Sequence, residues 1–82
     1  MKAGEIRKIV LEVVDNQIRQ GTPPETKQTL DRLISEGIVE SEARRLIGFV
    51  VAAEIFDIWK QQQPFDEVRF VKALHALPKL PE

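Results

Sequence analysis

The stretch Glu40-Ser41-Glu42-Ala43-Arg44-Arg45-Leu46-Ile47-Gly48-Phe49-Val50-Val51-Ala52-Ala53-Glu54-Ile55-Phe56-Asp57-Ile58-Trp59-Lys60-Gln61-Gln62 decides the fold. Ala43, Leu46, Ile47, Val50, Val51, Glu54, Ile55, Ile58 and Trp59 recur at helical spacing, while Phe49 and Phe56 fall outside the main stripe. A helix over 40–62 is about 35 Å long at 1.5 Å per residue, enough to cross a small domain. Apolar residues on more than one of its sides predict a central helix flanked by the others.

Upstream, Ile6, Ile9, Val10, Val13, Val14 and Ile18 form one apolar stripe, with Arg7, Lys8, Glu12, Asp15 and Arg19 opposite, which predicts a helix over 3–20. Gly21 supplies a left-handed exit. Thr22-Pro23-Pro24-Glu25 then reads as an N-cap, two first-turn prolines and a capping-box acid whose carboxylate would return to the Thr22 N–H. A second helix is therefore expected over 23–36, burying Leu30, Leu33 and Ile34 and stopping at Gly37. Downstream, Asp66 is the predicted cap of a fourth helix over 66–77, with Phe65 placed to staple against Phe70. That helix should bury Phe70, Val71, Leu74 and Leu77 and end where Pro78 and Pro81 prevent continuation, leaving 78–82 as an extended tail on which Leu80 pins to the surface.

These elements make one all-α domain of four helices spanning residues 1–82, since 82 residues are too few for two cores. With 43% hydrophobic and 30% charged residues the chain is expected to fold. A net charge of -1, spread evenly between the segments, removes the bulk attraction on which non-specific nucleic-acid or anionic-membrane binding depends. Cys is absent, so no disulfide, thiolate metal site or cysteine nucleophile is available, which is compatible with a bacterial-type cytoplasm. Charges interrupt every apolar run near the start of the chain, so neither a signal peptide nor a membrane span is expected, and the protein reads as soluble.

Three constellations are candidates for chemistry or binding. Glu54 and Asp57 share one side of the long helix, and together with the single histidine, His75, they are the residues around which an enzyme or metal site would form. A lone His lacks the paired spacing of a metal site, and a carboxylate in line with core positions reads as a salt bridge to Arg44, Arg45, Lys60, Arg69 or Lys72. No enzyme activity, cofactor, metal or small-molecule ligand is therefore expected. The helix, Gly37 turn and helix suggest a helix-turn-helix-like nucleic-acid protein, but Arg44 and Arg45 are surrounded by Glu36, Glu40 and Glu42, whose charges repel phosphate. Phe49, Phe56 and Trp59 have two readings: a crowded core, in which Phe56 and Trp59 cap the end of the bundle against Phe65 and Phe70, or an exposed protein interface, with self-association its commonest form. The function expected is a small non-enzymatic protein-interaction module.

Thr22-Pro23-Pro24-Glu25-Thr26, Glu36-Gly37, Glu42-Ala43, Glu54-Ile55-Phe56-Asp57, Pro64-Phe65-Asp66, Arg69-Phe70 and Ala76-Leu77-Pro78 form a series along residues 22–81. The series resembles a group of short uncharacterised bacterial all-helical proteins, a domain of unknown function, that share P-P-E-T, E-G, E-A, E-I, P-F-D and L-P motifs. Val39 stands where such proteins tend to carry Ser or a similar capping residue. The resemblance implies an all-helical fold and carries over no catalytic residue.

Overall fold

The computed structural model describes residues 3–80 and contains four helices, α1 Ala3–Gln20, α2 Pro24–Ser35, α3 Glu40–Gln61 and α4 Glu67–Ala76, with no strand among the described residues. Pro81 and the end of the tail lie outside the described residues. Both helix-ending glycines adopt the left-handed conformation, with φ of 68° at Gly21 and 96° at Gly37. Each closes its helix through backbone bonds. The Gly21 and Thr22 N–H groups donate to Gln17 O at 2.9 and 3.2 Å. The Gly37 N–H donates to Ile34 O, and Ile38 N–H to Leu33 O, both at 3.0 Å.

The expected capping box is not formed. Thr22 N–H is already spent on closing α1, so the Glu25 carboxylate has nothing to return to. The helix begins one residue later, with Pro23 as N-cap, no side-chain cap, and Pro24 at the first helical position, where its missing N–H costs nothing. Glu25 Oε1 is buried without a hydrogen-bond partner in the structure. At α4 the local signals hold. Asp66 caps the helix by accepting from the Arg69 N–H at 3.0 Å, and the Phe65 and Phe70 rings meet at 5.6 Å. Asp66→Ala should therefore cost about 1 kcal/mol, and thermal unfolding followed by circular dichroism should show a midpoint lower by about 4–8 °C.

α3 packs against all three other helices, whereas α1 and α4 stand on separate flanks and do not pack on each other. The core joins Val10 and Val14 of α1, Leu30 and Leu33 of α2, Ala43, Leu46, Ile47, Val50 and Val51 of α3, and Phe70, Leu74 and Leu77. Several expected core positions lie elsewhere. Ile34 is 41% exposed because the buried face of α2 runs through Thr26, Thr29, Leu30 and Leu33, one face of a 3.6-residue helix. Thr26 is accommodated by donating from Oγ1 to Gln17 Oε1 at 2.8 Å. Ile6 and Ile9 of α1 and Ile55 of α3 are exposed, and Val71 and Ile58 are only half-buried. The tail, expected to be extended from 78, instead turns over 77–79, with Lys79 N–H donating to Ala76 O at 3.0 Å, because this closing bond follows directly on the helix end. Arg32 of α2 holds this end of α4, its Nη2 donating to Leu74 O at 3.2 Å and Leu77 O at 2.9 Å. Leu74 O also accepts from the Leu77 N–H at 3.2 Å, and the guanidinium from a neighbouring helix adds a second donor there and one at Leu77 O.

Candidate functional site

Glu54 sits in the buried row of α3 and is only 6% exposed. Both of its carboxylate oxygens are engaged. Arg69 Nη2 donates to Oε1 at 2.8 Å, Arg69 Nε donates to Oε2 at 3.1 Å, and the Asp66 N–H approaches Oε1 at 3.3 Å. This fork ties α3 to the first turn of α4. Hydrogen bonding to Glu54 raises the Arg69 guanidinium further above its ordinary value, with smaller help from the charges of Asp57 and Asp66. Asp57 stands at the edge of the fork, 4.0 Å from Arg69 Nη2. His75 is exposed on α4 and makes no hydrogen bond or ion pair among the described residues. The structure thus joins Glu54 and Asp57 to Arg69 and does not bring His75 to them. No group of three His, Cys, Asp or Glu among the described residues is arranged to hold a metal ion.

The arginines at the start of α3 are likewise occupied. Arg44 bonds Asp15 across the α1–α3 contact and Glu40 at 3.2 Å. Arg45 grips both oxygens of Glu42, and that hydrogen bonding holds the Glu42 carboxyl below the usual carboxylate range. Lys60 lies over the Phe56 ring at 5.6 Å, and the Arg45 guanidinium over Phe49 at 5.1 Å.

The remaining candidate residues are apolar. Phe49, Phe56 and Trp59 are 45%, 54% and 75% exposed, so they do not cap the core. Phe56 and Trp59 meet each other at 6.3 Å, while Phe65 and Phe70 pair separately at 5.6 Å. The three aromatics line one open groove with Ile6 and Ile9 of α1, Ala52 and Ala53 of α3, and Leu80 of the tail. A second hollow continues it toward the start of α3, where Ile6, Val10, Leu11 and Phe49 are joined by the polar Arg7, Ser41 and Arg45. α3 therefore carries two seams. Ala43, Ile47, Val50 and Glu54 face inward, and Phe49, Ala52, Phe56 and Trp59 face the groove, both sets spaced alternately three and four residues apart.

The contribution of α1 to this face was not expected, although the breadth of its stripe is the signal: six aliphatic residues are more than one thin helix needs for its core contact. No helix among the described residues is long and apolar enough to cross a membrane. No family model matches the chain, and no match appears among curated proteins or solved structures.

Proposed function

We propose that the chain is a small, non-enzymatic protein-interaction module acting in the cytoplasm, and that it docks through the groove between α1 and α3. The observation that carries this reading is the exposure of Phe49, Phe56 and Trp59 on one continuous apolar face. Aromatic side chains of this size supply most of the energy of protein interfaces when they enter a partner's pocket. Contiguous apolar patches on small soluble domains mark interaction sites, because leaving them in water is costly. The polar groups point away from chemistry, since Glu54 is committed to Arg69, and Arg44 and Arg45 to neighbouring acids. Nucleic-acid docking through the start of α3 is disfavoured for the same reason.

The test is a photo-crosslinking side chain, benzoylphenylalanine, introduced at Trp59 or at exposed Lys27 of α2 in cells of the protein's source. An adduct of defined mass at position 59 and not at 27 is the expected result. Equal labelling at both positions, or none at 59, removes the basis for the reading.

A further inference from the structure

We infer that the occupant of this groove is an acidic amphipathic helix of another protein, its apolar stripe seated on Phe49, Phe56 and Trp59 and the carboxylates flanking that stripe turned to Arg7 and Lys60. The inference rests on the docking reading above and gives the partner its chemistry.

That the occupant is a helix follows from the walls of the groove. α1 and α3 spend their backbone N–H and C=O groups on their own helical bonds, and no strand among the described residues offers an edge. An extended peptide laid there would press its unsatisfied backbone against apolar side chains, at a cost for each group left without a partner. A helix satisfies its backbone internally and offers side chains alone. The groove-facing seam from Phe49 to Trp59 runs about 15 Å at 1.5 Å per residue, which accommodates about three turns of such a helix. Its alternate three- and four-residue spacing is the one into which the side chains of a second helix interdigitate.

The sign of the partner follows from how charge is sorted around the face. Of the acids in α1 and α3, only Asp57 lines the groove or its hollow, and it stands 4.0 Å from Arg69. Asp15 and Glu40 are turned to Arg44, and Glu54 to Arg69. Cations do border the face. Arg7 and Arg45 line the hollow, and Lys60 lies over the Phe56 ring. Arg45 is neutralised by Glu42, so the unanswered charge is that of Arg7 on α1 and Lys60 on α3, neither of which forms an ion pair among the described residues. The chain as a whole has a net charge of -1, so this positive rim is a local sorting and not a consequence of composition. An apolar stripe flanked by Glu or Asp brings opposite charge to both banks, whereas one flanked by Lys or Arg meets repulsion at each. A second copy of this chain would bring the same cations and is the poorer fit.

The single tryptophan, Trp59, reports occupancy directly, because its exposed indole should shift its emission to the blue when a partner covers it. Two designed helical peptides serve as ligands. One carries Leu and Phe at alternate three- and four-residue spacing with Glu on both flanks, and its twin carries Lys at every Glu position. The Glu peptide should bind about 10-fold more tightly than its twin at low salt, and strong salt should narrow the difference. Reversing both cations, Arg7→Glu with Lys60→Glu, should abolish the preference, while Lys72→Glu on α4, outside the groove, should leave it intact. Circular dichroism should show both variants folded, since all three side chains are exposed. The inference is overturned if neither peptide binds, if the Lys twin binds as well, or if the double reversal leaves the preference unchanged. It is equally overturned if anionic phospholipid vesicles shift the emission and the Glu peptide does not, or if sedimentation shows the chain pairing with itself and the Glu peptide fails to compete. If the charge preference is missing while position 59 still crosslinks to another protein, the acidic helix fails and the docking reading stands. If position 59 crosslinks to nothing as well, both fail.

Discussion

Phe70→Ala is expected to lower stability by about 3–5 kcal/mol, the usual cost of truncating a buried aromatic side chain. Phe70 is almost wholly buried, and its ring meets Phe65, the staple that sets the entry of the chain into α4. α4 has only 10 residues, shorter than the roughly 12–15 an isolated helix needs to persist in water. Its helicity therefore depends on packing against α2 and α3. Truncation leaves a cavity where α4 meets those helices and frees the staple in the same step. A small domain holds about 5–15 kcal/mol in all, so the loss should lower the thermal midpoint by more than about 12 °C. Urea unfolding followed by far-ultraviolet circular dichroism measures it, and a loss below about 1 kcal/mol would refute the placement of Phe70 in the core.

How much of this architecture is legible in the sequence depends on how far each signal reaches along the chain. Gly21, Gly37 and the Phe65-Asp66-Phe70 set act within a turn or two, and each ends or starts a helix where its chemistry says it should. Thr22 shows where local reading fails, because its N–H is contested by two helices and α1 takes it. Ile34 lies outside the core and Thr26 inside it for a related reason. Hydropathy favours the isoleucine, but the face turned inward is fixed by packing across three helices, and Thr26 meets its need for a hydrogen bond through Gln17. Arg32 and the carbonyls it completes at Leu74 and Leu77 are too distant in sequence for any spacing rule to connect. The composition of α3 announces apolar residues on more than one side. Which side its neighbours leave uncovered is a property of the assembled bundle, so Phe49, Phe56 and Trp59 admit two readings until α1 and α4 are seen to stand apart.

Glu54→Ala should cost about 3 kcal/mol, more than an ordinary surface change, because it breaks a buried fork from its buried end. The substitution removes the acceptor of two guanidinium bonds and of the Asp66 N–H, and it leaves a gap in the inward row beside Val50 and Val51. Arg69 is partly exposed, so water takes up its lost bonds and keeps the cost below that of a wholly buried pair. Arg69→Met is destabilising in the other direction, since it strands the Glu54 carboxylate in a site nearly closed to solvent. Replacing both, Glu54→Met with Arg69→Met, should restore most of the loss. Apolar side chains of similar volume need neither partner nor hydration, and paired buried charges are often no better than such a replacement. A double-mutant cycle on urea unfolding separates the alternatives. A coupling indistinguishable from zero would show that the volume of Glu54 matters and its charge does not. Strong coupling would mean that the acid in the central helix is there for Arg69 and the first turn of α4.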